Sequence, residues 1–215
     1  MMDRLLRRLD DFCRAHSSPP DALLQELERE THLKTLSPQM LTEPHQGRFL
    51  QWLCEWVAPR RVLEIGTFTG YATICLARGA GPAAEVHTIE GNDEVLPIAR
   101  RYFRRAGLEP RIHIHQGDAF EILPALEGSF QLIFLDAAKR DYPAFFPLLL
   151  EKLEPGGLLL ADNVLWHGNT LQPQPDPDTR ALLRFLELAE NHPLTEQVLL
   201  PLHDGLLLIR KKKER

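Results

Sequence analysis

The sequence predicts an α/β fold, with a mostly parallel sheet, helices on both its faces and a terminal antiparallel hairpin. Three observations carry that reading. From Arg61 onward, short apolar runs alternate with stretches of helical periodicity, the pattern of successive strand–helix–strand units. Val62-Leu63 and Leu132-Ile133-Phe134-Leu135 are nearly unbroken apolar runs, as strands covered on both faces require. Near the end, Gln197–Leu200 and Leu206–Ile209 flank His203-Asp204-Gly205, and Asp-Gly is a strong signal for a hairpin turn.

Taken in order, Leu5, Leu6, Leu9, Phe12 and Cys13 recur at helical spacing and suggest an amphipathic first helix. Ser17-Ser18-Pro19-Pro20 breaks it, and a second helix is expected over Asp21–Thr31. A third follows Pro44, with Phe49, Leu50, Leu53, Trp56 and Val57 on its apolar side, and ends near Pro59. These helices precede any convincing strand, so they read as a cap or interface. Strands are expected at Arg61–Gly66, Glu85–Glu90, Arg111–Gln116, Phe130–Asp136 and Leu158–Asp162. Helices are expected near Tyr71–Arg78, Asp93–Ala106, Ala119–Leu126 and Tyr142–Leu153. Thr170–Asp178, with Pro173, Pro175 and Pro177, reads as a polar loop with no regular element. A last helix runs through Leu182, Leu183, Leu186 and Leu188 before the hairpin.

A length of 215 residues suits one domain over 1–215, divided into a helical cap over 1–58 and an α/β core over 59–215. With 44% hydrophobic and 26% charged residues the chain can bury a core, which excludes disorder for its bulk. The net charge of −5 argues against nucleic acid as a partner; the basic end at Arg210–Arg215 is too short to alter this and reads as a solvated tail. No apolar run approaches the ~20 residues of a membrane span, and the charged N-terminus lacks the apolar stretch of a signal peptide. Cys13, Cys54 and Cys75 form no CxxC pair and read as buried reduced thiols. The expectation is a cytoplasmic protein with no membrane partner.

Glu64-Ile65-Gly66-Thr67-Phe68-Thr69-Gly70 lies where the first strand hands over to a helix. Glycines there permit positive φ and close approach of a ligand, and ligands of open α/β sheets bind at the carboxyl ends of the strands. The spacing is G-x-x-x-G, not the G-x-G-x-x-G of a pyrophosphate-binding turn. Glu90 closes the second strand, where an acid can accept both hydroxyls of a ribose. Gly117-Asp118-Ala119 ends the third, and Asp118 can accept from an adenine amino group or simply cap the next helix. Three such ends in order suit an adenosine without a phosphate cradle, as in S-adenosylmethionine (SAM).

The next strands deliver Asp136-Ala137-Ala138-Lys139 and Asp162-Asn163. Two carboxylates and an amide are hard donors too few to fill an octahedron. They suit Mg²⁺, which keeps positions for water or substrate, with Mn²⁺ or Ca²⁺ as alternatives. Adjacent acceptor hydroxyls could fill those positions and acidify there. Lys139 reaches the same place and is a candidate general base, its pKa open to depression by a cation and by burial. Asp136 and Lys139 as a local ion pair, with Asp162 capping a turn, is the plainer alternative.

These residues resemble the class I SAM-dependent, metal-dependent O-methyltransferases, the caffeoyl-CoA and catechol O-methyltransferase group. The motifs are Val62-Leu63-Glu64-Ile65-Gly66-Thr67-Phe68-Thr69-Gly70-Tyr71, Asp136-Ala137-Ala138-Lys139 with Asp141-Tyr142, and Asp162-Asn163-Val164-Leu165-Trp166-His167-Gly168. The resemblance implies a Rossmann-like, doubly wound, seven-stranded sheet and a catechol-like or phenolic small-molecule acceptor. It implies Asp136, Asp162 and Asn163 as metal ligands and Lys139 as catalytic base, with Lys139, Asn163 and Trp166 against the acceptor. The cofactor would meet Met40, Thr42, Glu64, Gly66, Phe68, Gly70, Tyr71, Ala72, Glu90, Gly91, Gly117, Asp118 and Ala119, and Asp136 would touch its methionine amine. Ala72 stands where relatives often carry serine, and Val198 stands about where animal catechol enzymes carry a glutamate, which shifts the match toward the bacterial and plant branch. A homodimer through the N-terminal helices is also implied, with Trp52 and Trp56 as core or dimer contact. A nicotinamide-dependent oxidoreductase and a non-catalytic SAM-binding protein are the rival readings. His45, His113, His115 and His167 are left unassigned, the His-x-His pair reading as an exposed strand face.

Overall fold

The computed structural model describes residues 2–213, of which residues 2–7 are described in backbone only. The chain forms two compact units, Met1–Asp118 and Ala119–Arg215. In the first, α1 (Met2–Ala15), α2 (Ala22–Lys34) and α3 (Pro44–Val57) precede β1 (Arg61–Ile65), α4 (Tyr71–Gly79), β2 (Glu85–Glu90), α5 (Leu96–Arg105) and β3 (Ile112–Gln116). In the second, α6 (Ala119–Ala125), β4 (Phe130–Leu135), α7 (Tyr142–Lys152), β5 (Leu153–Ala161), α8 (Pro177–Asn191), β6 (Thr195–Leu200) and β7 (Leu206–Lys211) follow. The seven expected strands are all present, three in the first unit and four in the second. The first unit carries the parallel order β3-β2-β1. The second carries β4-β5-β7-β6, with only the β4/β5 pair parallel.

The apolar runs become the most deeply covered strands. Val62 and Leu63 of β1 and Leu132–Leu135 of β4 are fully buried, each large side chain contributing on the order of 1.5–3 kcal/mol. The helices start on chemical signals. The Asp21 carboxylate accepts from Leu24 N–H at 3.0 Å to cap α2. The Asp176 carboxylate accepts from Thr179 N–H at 2.7 Å to cap α8, with Pro177 in the first helical turn.

Four expectations are corrected. Thr170–Asp178 is not wholly irregular: Trp166–Leu171 forms 3-10 turns, and α8 starts at Pro177, because proline at a helix's first position gives up only an N–H that would be unpaired anyway. Strand β5 begins at Leu153, not Leu158, because Leu153 pairs with Phe130 ahead of an irregularity that ends where Leu158 pairs with Leu132. Cys13 is exposed; Cys54 and Cys75 are buried, and burial pushes both thiols up to about 12. Trp52 and Trp56 are not core, being 45% and 70% exposed. Of the expected apolar face of α1, Leu9 and Phe12 are exposed, and the side chains of Leu5 and Leu6 lie outside the described residues, as does Arg215.

Candidate functional site

At the carboxyl ends of β1, β2 and β3 the first unit builds a rim from backbone. Gly66 (φ +102°) donates its N–H to Ile89 O at 3.0 Å, and Gly117 (φ +138°) donates to Glu90 O at 2.9 Å. These bonds tie the three strand ends side by side. Glu90 is the hub: its carboxylate accepts from Phe68 N–H at 2.7 Å and from Asn92 N–H at 2.8 Å. Those donors fix the carboxylate's orientation and leave lone pairs on both oxygens for hydroxyl donors. Gly91 is open toward Gly117, where an added Cβ would meet only its carbonyl at 3.8 Å.

Gly70 is required twice over. Its φ of +91° lies in the left-handed region, and a Cβ there would stand 2.5 Å from the Phe103 ring. The neighbouring Phe68 holds φ +48°, a strained conformation for a bulky residue. Glu64 faces inward: fully buried, it accepts from Thr73 Oγ1 at 2.5 Å and Thr88 Oγ1 at 2.6 Å. Tyr71 and Ala72 are buried at the start of α4, Tyr71 against Gly47. Met40 ends an exposed 3-10 turn, Pro38–Met40, while Thr42 is buried ahead of α3.

In the second unit, Leu135 and Ala161 are in-register partners of β4 and β5. Asp136 and Asp162 therefore follow on adjacent parallel strands, whose spacing is about 4.8 Å. Asp162 N–H donates to Leu135 O at 3.0 Å, and Asp162 Oδ1 accepts from Asn163 N–H at 2.8 Å. Lys139, only 7% exposed, donates to Asp136 Oδ1 at 2.8 Å and to Tyr142 Oη at 2.9 Å. Tyr142 Oη lies 3.0 Å from the carbonyl oxygens of both Leu135 and Asp162. One buried phenol thus fastens the two strand ends and the lysine.

Burial by itself would lower the Lys139 pKa, but Asp136, then Tyr142 and Asp162, outweigh it and hold the pKa above the ordinary value. The depressed lysine expected from sequence is therefore not the state of the chain alone: here Lys139 is an ammonium. Two carboxylates against one ammonium leave excess negative charge in a largely buried cluster, which a cation would offset.

Sequence reasoning missed two supporting groups. Tyr142 lay in a quoted motif, three residues past Lys139 and hence within a helical turn of it, but received no role. Asp204, read only as a turn residue, is 7% exposed and accepts from His167 N–H at 2.6 Å. Burial raises its pKa, against the opposing His167 N–H. The hairpin turn also accepts Val164 N–H on Gly205 O at 3.1 Å and Leu165 N–H on Asp204 O at 2.9 Å. It thereby holds a loop in which Asn163, Trp166 and His167 all have positive φ. Trp166 is half-buried and stacks on His167 at 5.5 Å between ring centroids.

An O-methyltransferase family model matches residues 14–212. The chain belongs to that family. It is 38% identical over 157 residues to a catechol O-methyltransferase of Mycobacterium tuberculosis, covering 73% of this chain and 71% of the relative. It is 32% identical over 185 residues to caffeoyl-CoA O-methyltransferase 1 of Eucalyptus globulus, covering 80% and 75%. Among solved structures, an O-methyltransferase of Bacillus cereus in complex with SAH superposes with a TM-score of 0.87 at 32% identity, covering 95% of this chain and 97% of that one. The O-methyltransferase TomG of Streptomyces achromogenes in complex with SAM gives 0.87 at 28%, covering 99% of each chain. This methyltransferase is thus a SAM-dependent enzyme, and a nicotinamide oxidoreductase is set aside. Among the described residues no helix is long and apolar enough to cross a membrane.

Proposed function

We propose that this methyltransferase requires a divalent cation, Mg²⁺ foremost, and methylates a hydroxyl of a small catechol-like or phenolic acceptor. The observation that carries the reading is the cluster at the ends of β4 and β5: Asp136 and Asp162 on in-register strands, Asn163 next in sequence, and Lys139 bonded to Asp136. The donor set fits the ion. It offers hard oxygen ligands, too few to close an octahedron, around a carboxylate that is only 3% exposed. Relatives named for catechol and caffeoyl-CoA acceptors support the acceptor class.

In this reading Asp136, Asp162 and Asn163 hold the cation. When bound, it supplies positive charge that acidifies the acceptor hydroxyl and offsets the carboxylates keeping Lys139 protonated. SAM supplies a methyl already activated by its sulfonium. Glu90 accepts the ribose hydroxyls, Asp118 and Ala119 meet the adenine, and the Gly66–Ala72 loop meets the methionine end. Lys139 takes the hydroxyl proton at Nζ as the oxygen–carbon bond forms and the carbon–sulfur bond breaks. Tyr142 and Asp136 position that nitrogen, and Trp166 walls the acceptor. Orientation contributes much of the rate, because the methyl needs no further activation.

Both units serve one methyltransferase domain in this proposal. The exposed Trp52 and Trp56 of α3, 6.4 Å apart between ring centroids, are proposed as a homodimer contact, which a monomeric mass in solution would overturn. The function is tested by methyl transfer from SAM to catechol before and after EDTA. Activity should vanish with chelation and return with Mg²⁺ or Mn²⁺. Full activity in the chelated, metal-free enzyme would refute the cation requirement.

A further inference from the structure

The His-x-His pair on β3 reads as an ordinary exposed face when seen alone; strand pairing changes that. His87 pairs in register with His113, and Ile89 with His115. Alternation along the strands then places Glu85, His87, His113 and His115 on one face of the β2–β3 ladder. The imidazoles are close: ring centroids are 4.8 Å apart for His87 and His113, and 5.3 Å for His87 and His115.

We propose that this face is a transition-metal site of the zinc class, formed by Glu85, His87 and His113, with His115 orienting His87. Ligand atoms of these first three residues all lie within 4.8 Å of one another. A tetrahedral ion with bonds near 2.0–2.1 Å needs ligands roughly 3.3 Å apart, a contraction that rotations of the exposed Glu85 and His113 side chains can supply. The two nitrogens of His87 divide the tasks. Nε2 faces the Glu85 carboxylate at 3.7 Å, and Nδ1 lies 3.1 Å from His115 Nε2 in a hydrogen bond. A ligating histidine held through its other ring nitrogen is the usual support of a metal-bound imidazole. Two imidazoles and a carboxylate, with the fourth position left to water, suit Zn²⁺ by geometry; Co²⁺ and Ni²⁺ also bind such donors, and Cu²⁺ binds them more tightly than zinc does.

The donor set separates this site from Asp136, Asp162 and Asn163, whose all-oxygen ligands suit Mg²⁺. It also lies toward the start of β2 and β3, whereas the Glu90 and Gly117 rim is at their carboxyl ends. Asp10, Glu43 and His45 form another group with close ligand atoms. There, however, Glu43 is already paired with Arg14 at 3.1 Å and His45 is buried. Arg61 stands opposite Glu85 in register on β1.

The test is calorimetric titration of metal-free full-length protein with Zn²⁺ in excess Mg²⁺, with Co²⁺ absorption as the coordination readout. One zinc per chain should bind, and Co²⁺ should show visible bands of a tetrahedral nitrogen–oxygen site. His113→Ala, at an exposed position, should weaken zinc at least 10-fold and abolish those bands without moving the melting temperature of the metal-free protein. His115→Gln should weaken zinc several-fold and leave the bands in place. His203→Ala should change nothing. Zinc uptake and Co²⁺ bands undiminished by His113→Ala, or lost instead on His45→Ala, would overturn the proposal.

Discussion

The glycine-rich rim of the first unit, proposed to hold the cofactor, and the charged cluster of the second are built by opposite means. The rim is backbone: Gly66, Gly70 and Gly117 at positive φ, and amide N–H groups of Phe68 and Asn92 turned onto one carboxylate. The cluster is side chains: Asp136, Lys139 and Tyr142, buried or half-buried and bonded to one another, and buried Asp162, whose Oδ1 accepts from Asn163 N–H. A backbone rim fails when a Cβ or the wrong φ is introduced. A side-chain cluster keeps its fold and loses its chemistry when one functional group is removed. Substitutions in the rim should therefore act on stability and cofactor affinity, and those in the cluster on turnover.

The largest effect should come from the cluster. Lys139→Met keeps the length of the side chain and removes the nitrogen proposed as the base, and kcat should fall roughly 100- to 10,000-fold. The KM for SAM should change little. Steady-state kinetics with both substrates separates the two, and equal losses in kcat and SAM affinity would make Lys139 structural. In the rim, Gly70→Ala meets the Phe103 ring and forces alanine to φ +91°. Overpacking and left-handed strain together should cost about 3 kcal/mol, read from urea unfolding.

The same contrast explains what was legible in the sequence. Glycines at a strand–helix turn announce themselves, as do acids at strand ends, so the rim and the Asp136, Lys139, Asp162 and Asn163 set could be found by position. The groups holding them could not. Thr73 and Thr88 reach Glu64 across 9 and 24 residues, and Asp204 reaches His167 across 37. No local spacing encodes such contacts. The β5 boundary failed for a related reason: Glu154-Pro155-Gly156-Gly157 has the composition of a turn, yet it is an irregularity inside β5, spanned by the Leu153–Phe130 and Leu158–Leu132 pairs with β4. His87 became interesting only once β3 lay beside it.

Tyr142→Phe probes how far the cluster depends on such support. The ring still fills its buried place, but Lys139 loses an acceptor, and the Leu135 and Asp162 carbonyls lose the nearby hydroxyl. Stability should fall by about 1–2 kcal/mol. Turnover should drop on the order of 10-fold with the KM for SAM unchanged, a loss equivalent to a free energy of about 1.4 kcal/mol. Unaltered turnover would show that Asp136 alone positions the lysine.

The smallest effect tests whether the first unit, too, has a side-chain cluster that matters. Glu30 of α2 accepts from Tyr102 Oη of α5 at 2.9 Å and pairs with Lys34 at 2.7 Å and Arg101 at 2.6 Å. The hydrogen bond from Lys34, opposed by burial and aided by Tyr102 and Arg101, lowers its pKa from 4.5 to about 2. A carboxyl whose folded pKa is depressed stabilises the fold above its unfolded pKa, and that contribution is lost as pH falls toward the folded one. Between pH 4.5 and about 2 the unfolded chain takes up the proton first, so this part of the stability declines across that window. Because these ion pairs are partly exposed, the contribution should be only on the order of 1 kcal/mol, and smaller in high salt. Glu30→Gln should remove that part of the acid slope and cost about the same at neutral pH, as followed by urea unfolding at several pH values. An unchanged slope would mean that apolar packing alone, and not this ion cluster, ties α2 to α5.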